Sequence, residues 1–112
     1  MLESLRHLTY PNYEILVVDN ASPTEAPDSI AEQFPEVHLI RSAVNLGFAG
    51  GNNLGIKEAR GKYCLFLNND TEVAPNLLDR LVAAFEQNRK AGIISPKNNF
   101  SWNQPAYSIC WL

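Results

Sequence analysis

Hydrophobic positions along the chain switch between two periods. Leu2, Leu5 and Leu8 recur every third residue, which puts them on one face of a short helix within residues 1–10, broken by Pro11 and Asn12. Ile15, Leu16, Val17 and Val18 then run without a polar interruption and are largely β-branched, so 14–18 reads as a strand covered on both faces, as in a parallel sheet. Ser22 and Glu25 have capping-box spacing, and Pro23 falls at the first helical position. The helix they predict carries Ala26, Ile30, Ala31 and Phe34 on one side and stops at Pro35. Residues 37–41 make a second short strand. A glycine-rich stretch leads into a helix over 52–59 that stops at Arg60 and Gly61, and 62–67 is a third strand. Pro75 opens what reads as the longest helix, to about residue 90, with Leu77, Leu78, Leu81, Val82 and Phe85 on one face; 91–95 is a fourth strand.

Strands alternating with helices are the mark of an α/β protein, here a Rossmann-like, mostly parallel sheet with flanking helices. The rhythm fails after Pro96, so one domain is expected over 1–97 and a divergent tail over 98–112. With 112 residues there is room for one core. A composition of 46% hydrophobic and 19% charged residues is that of an ordinary folded domain. The net charge of -3 offers no general attraction to nucleic acid, so an anionic ligand needs a local device such as a helix N-terminus or a metal. No apolar run approaches the roughly 20 residues of a membrane span, and no signal peptide is recognisable, which points to the cytoplasm, free or peripheral at the inner face of the membrane. Cys64 and Cys110 have no metal-ligand spacing and are expected as buried or reduced thiols. His7 and His38 stand alone and read as structural, and Trp102 and Trp111 as covers for exposed core.

Ligands of open α/β sheets bind beyond the carboxyl ends of the strands, and those ends are polar here. Asp19 and Asn20 follow the first strand, Ser42 to Asn45 the second, and Asn68, Asn69 and Asp70 the third. Asp19 either accepts hydrogen bonds from a base or sugar or only shapes the turn before Ser22. Gly47, Gly50, Gly51 and Gly55 fit neither the dinucleotide fingerprint nor the Walker pattern. They serve either close approach of an anion to a helix start or tight packing. Asp70, at the end of an apolar strand, either helps hold a hard divalent cation shared with substrate phosphates or caps the next helix.

Read together, three stretches resemble one family. Tyr10-Pro11-Asn12-Tyr13-Glu14-Ile15-Leu16-Val17-Val18-Asp19-Asn20-Ala21-Ser22, Asn45-Leu46-Gly47-Phe48-Ala49-Gly50-Gly51-Asn52-Asn53-Leu54-Gly55 and Leu65-Phe66-Leu67-Asn68-Asn69-Asp70-Thr71 resemble, in order, the donor-binding half of family 2 glycosyltransferases. The resemblance implies a partial GT-A fold and a donor site for a UDP- or dTDP-sugar. Asp19 would contact the uracil or thymine base, Asn20 would also belong to the donor-binding set, and Asn45, Gly47, Gly51 and Asn52 would lie beside the nucleotide and its diphosphate. Asn68 and Asp70 would occupy the two acid positions of the D-x-D motif, with Asp70 on the divalent metal, magnesium or manganese; an asparagine stands where that motif starts with aspartate.

The same resemblance implies a strand ahead of residue 1, an acceptor region and a general base, none of which falls within these 112 residues. The chain is therefore expected to be a donor-binding portion, incomplete as an enzyme, of a transferase acting on a glycan or lipid-linked acceptor. The rival expectation is a non-catalytic, self-associating remnant without donor binding. Sheet edges left bare by an absent strand are expected to be met by the tail or by a second copy in a homodimer.

Overall fold

The computed structural model describes residues 1–23, 26–96 and 110–111, with only the backbone described at 26, 27, 110 and 111. The elements run α1 (Leu2–Leu5), β1 (Ile15–Asn20), α2 (Ala26–Gln33), β2 (Val37–Ser42), α3 (Gly47–Glu58), β3 (Cys64–Leu65), α4 (Leu77–Gln87) and β4 (Cys110–Trp111). The chain is thus α/β, with β1 and β2 parallel and in register from Ile15 opposite Val37 to Asn20 opposite Ser42.

The uninterrupted apolar run of β1 serves two cores, because successive side chains point to opposite faces. Ile15 and Val17 pack with Leu5, Leu67 and Val73 on one face. Leu16 and Val18 pack with Ile40 of β2 and with Leu54 and Ala59, in and just beyond α3, on the other. Leu5, Leu16 and Leu78 are completely buried. The opening helix covers only Leu2–Leu5 of the stretch 1–10 in which a short helix is expected. Bonds from the amides of His7 and Leu8 to the carbonyls of Ser4 and Leu5 carry the chain on in tighter turns, and Leu2 and Leu8 still reach the core around Leu5.

Four further boundaries differ from the sequence reading. α3 begins at Gly47, five residues ahead of the expected 52, and at 12 residues is longer than α4, which has 11. α4 closes at Gln87 because Asn88 leaves helical geometry, at φ -122° and ψ 67°, and its side-chain Nδ2 caps the carbonyl of Ala84. β3 keeps only two of its six expected residues, since its ladder extends only as far as its two-residue partner. Residues 91–95 form no strand: the Ala91 amide closes a turn onto the Asn88 carbonyl, and Ile93 is 92% exposed, with no partner strand beside it among the described residues.

The partner of β3 comes from the tail. Cys110 and Trp111 pair antiparallel with Leu65 and Cys64, so the edge expected to need the tail or a second copy is met at β3 by this chain's own backbone. Glu25 of the expected capping box, Trp102 and most of the tail lie outside the described residues. Cys64 is exposed, not buried, although neighbouring atoms still push its thiol pKa up by desolvation.

Candidate functional site

A cleft of about 590 Å³ opens at the carboxyl end of β1. Val17 of β1, Leu39 of β2, and Ile30 and Phe34 at α2 form its apolar part, and Asp19, Asn20, Asn45 and Asn69 its polar rim. Arg6 fixes one wall: its guanidinium lies 4.4 Å over the Phe34 ring and donates to Glu36 and to the Gln33 carbonyl. The Glu36 carboxyl is held below its ordinary range by the Arg6 hydrogen bond.

β1 ends in a shaped turn. Oδ1 of Asp19 accepts the Ser22 amide at 2.9 Å, and Ala21 sits at φ 61°, in the left-handed region that costs a non-glycine residue about 1 kcal/mol. Asp19 therefore does shape the turn before Ser22, as one of its two readings required, while also lining the cleft.

Asn20 reaches across to the next strand's exit. Its Nδ2 donates to Oδ1 of Asn45 at 3.2 Å and to the carbonyl of Gly47 at 3.0 Å, and its Oδ1 accepts the amide of Leu46 at 2.8 Å. Oδ1 of Asn45 also accepts the Gly47 amide at 2.8 Å. Gly47 has φ 70°, which glycine adopts without strain. Helix α3 starts at once, and a Cβ on Gly50 would lie 2.6 Å from Cβ of Leu46, closer than side-chain atoms pack. Gly50 is thus required by the tightness of this first turn, a need that composition alone did not single out among the glycines.

The expected site residues separate into groups. Asp19, Asn20 and Asn45 line the cleft, whereas Gly47, Gly51, Asn52, Asn68 and Asp70 do not. Gly51 is buried beneath Asn20, with its missing Cβ position 3.4 Å from the Asn20 amide nitrogen, and Asn52 is half-buried on α3. The Thr71 amide bonds the Asn68 carbonyl at 3.1 Å, closing a turn over 68–71 that sends neighbouring side chains in different directions. Asn69 consequently lines the first cleft, a role the sequence reading did not give it, while Asp70 opens on a second depression of about 510 Å³ with Glu3, His7 and Glu72. Met1 and Glu3 line both spaces. Ser4, whose hydroxyl accepts the Val73 amide, and Thr9, whose amide donates to the Pro75 carbonyl, fasten the N-terminal segment beside Asp70.

Among the described residues, no three His, Cys, Asp or Glu side chains gather as a self-sufficient metal site. One exposed carboxylate fits the other kind of site, in which one or two protein oxygens hold a cation mainly coordinated by substrate phosphates. The described residues also contain no helix long and apolar enough to cross a membrane.

The sequence profile of glycosyl transferase family 2 matches residues 1–110, nearly the whole chain. The chain belongs to that family. It is 32% identical over 94 residues to an uncharacterized glycosyltransferase of Haemophilus influenzae, a match covering 84% of this chain and 32% of that protein. It is 35% identical over 82 residues to the O-antigen biosynthesis protein RfbC of Myxococcus xanthus, covering 70% of this chain and 6% of RfbC. It is 37% identical over 70 residues to the succinoglycan biosynthesis protein ExoO of Rhizobium meliloti, covering 62% of this chain and 20% of ExoO. The family 2 chain thus spans a third or less of the length of these relatives. No solved structure matches it.

Proposed function

We propose that this chain is the donor-binding portion of a glycosyltransferase that uses a uridine or thymidine diphosphate sugar. The observation that carries the reading is the cleft at the end of β1, where the Asp19 carboxylate, the side chains of Asn20, Asn45 and Asn69, and an apolar floor converge. Asp19 would accept from a base or ribose hydroxyl, and Asn45 would border the nucleotide. Asp70 would hold a magnesium or manganese ion on the diphosphate; when bound, such a cation offsets the charge that develops on the leaving group.

In the parent reaction an acceptor hydroxyl attacks the anomeric carbon from the face opposite the diphosphate. A new carbon–oxygen bond forms, the bond to the diphosphate breaks, and its electron pair leaves with the nucleotide. The acceptor proton passes to a base that no residue of this chain is assigned to supply. The names of the relatives from Myxococcus and Rhizobium support a polysaccharide of the cell envelope as the product and a glycan or lipid-linked acceptor.

Calorimetry of the full chain with uridine diphosphate and manganese chloride tests the reading. Saturable binding that weakens at least tenfold in Asp70→Ala and in Asp19→Asn is expected. An absence of heat at millimolar nucleotide, with the protein folded, would instead favour the non-catalytic alternative.

A further inference from the structure

We infer that Asn20 acts on the nucleotide site as a positioning residue, through the turn 45–47, and not as a ligand contact. The inference rests on the donor-binding reading above for the identity of the ligand, though not for the geometry.

An asparagine side chain can donate two hydrogen bonds and accept two. Asn20 spends both donors and one acceptor inside the protein, on Asn45 Oδ1, the Gly47 carbonyl and the Leu46 amide. Only one lone pair remains for anything in the cleft. These three bonds span 25 to 27 residues of sequence and fall on three consecutive residues, so one side chain fixes the path of the whole turn. The same turn gives Asn45 to the cleft rim and leads directly into α3 at Gly47. Gly51 completes the arrangement, because the space its missing side chain leaves is where the Asn20 amide rests. The wall of the cleft is therefore held in place before a ligand arrives, and binding does not have to order it.

Two variants test this, with amide hydrogen exchange and nucleotide binding measured on each. Asn20→Ala removes all three bonds; Asn20→Asp keeps the shape and the acceptor for Leu46 but removes both donors. Exchange at the Leu46 and Gly47 amides is expected to accelerate about tenfold or more in Asn20→Ala, while the hydrogen-bonded amides of the β1–β2 ladder keep their protection. In Asn20→Asp the Leu46 amide should stay better protected than in Asn20→Ala. Affinity for uridine diphosphate with manganese should fall about tenfold in both variants, and the dissociation rate should rise. Weakened affinity with unchanged exchange at 46 and 47 would make Asn20 a direct contact and overturn the inference. So would faster exchange that leaves affinity unchanged, or loss of protection spread evenly over the ladder. Should the unmutated chain bind no nucleotide, the donor reading falls by that result alone, and the local exchange pattern still decides whether Asn20 orders the turn.

Discussion

Replacing Glu14 by glutamine is expected to destabilise the fold by about 1–2 kcal/mol at pH 7, by an amount that fades in acid. The Glu14 carboxylate stands at the start of β1, and its Oε1 accepts the backbone amides of Arg60 at 2.7 Å and Gly61 at 3.2 Å. Its Oε2 faces the Arg60 guanidinium at 3.3 Å. The guanidinium contributes little, since the Arg60 side chain is 85% exposed and an ion pair in water is worth about 0–1 kcal/mol. The amide bonds count for more, because the Glu14 side chain is only 21% exposed and a hydrogen bond to a charged group is worth about 1.5–3 kcal/mol. Glutamine keeps one neutral oxygen for the amides but turns an NH₂ toward the guanidinium, so roughly half of that contribution should disappear.

The pH dependence follows from the direction of the Glu14 shift. The Arg60 amide first, then the guanidinium and the Gly61 amide, hold this carboxyl below its ordinary value, with desolvation opposing them. A carboxyl depressed in the folded state contributes stability that is complete above its unfolded value near 4.5 and is lost as pH falls through the folded one. Urea unfolding followed by far-ultraviolet circular dichroism should give a constant difference between the unmutated and Glu14→Gln chains from pH 8 to 6, shrinking below about pH 4.5. Glu36, also depressed, is present in both chains and cancels in the difference. A gap below about 0.3 kcal/mol at pH 7, or one undiminished at pH 3, would refute the assignment.

Two further substitutions probe how α3 and β1 are built. Gly50→Ala should lower the melting temperature although alanine favours helix by about 1 kcal/mol, because the 2.6 Å approach to Leu46 costs about 1–3 kcal/mol; adding Leu46→Gly should recover the loss. Leu16→Ala, at a fully buried position facing Leu54 and Ala59, should cost about 2–5 kcal/mol in urea unfolding without altering the m-value.

Much of the scaffold could be read from the residues because its signals are local. The four consecutive apolar residues of β1 imply two covered faces, and two cores are what they meet. The apolar stripe of α4 is likewise buried or half-buried from Leu77 to Phe85. What escaped the reading depends on partners distant in sequence. Residues 47–51 hold three glycines and look like a loop by propensity, yet they are helical because Asn20 orders the turn ahead of them and β1 packs against them. The strand at 62–67 shortened because its length is set by the partner from the tail, which no pattern in 62–67 encodes. The candidate site divides in the same way: Asp19 was legible at the end of its strand, while the turn at 68–71 decided that Asn69 and Asp70 open on different spaces.

The glycine-rich stretch therefore has a different mechanical meaning from a flexible phosphate loop. It is the first turn of a helix whose two ends are tied to the two ends of one strand. Asn20, closing β1, holds residues 45–47 ahead of α3, and Glu14, opening β1, holds Arg60 and Gly61 just beyond it. The lengths match: 12 helical residues rise about 18 Å, and the six steps from Glu14 to Asn20 span about 20 Å. Each tie includes two bonds from a side chain to backbone groups, so both fix the path of the main chain as well as the placement of a neighbouring side chain. A helix pinned this way cannot slide or tilt without breaking a tie at one end, and Asn45 moves only if it does. Such a strut keeps the Asn45 wall of the cleft in one place.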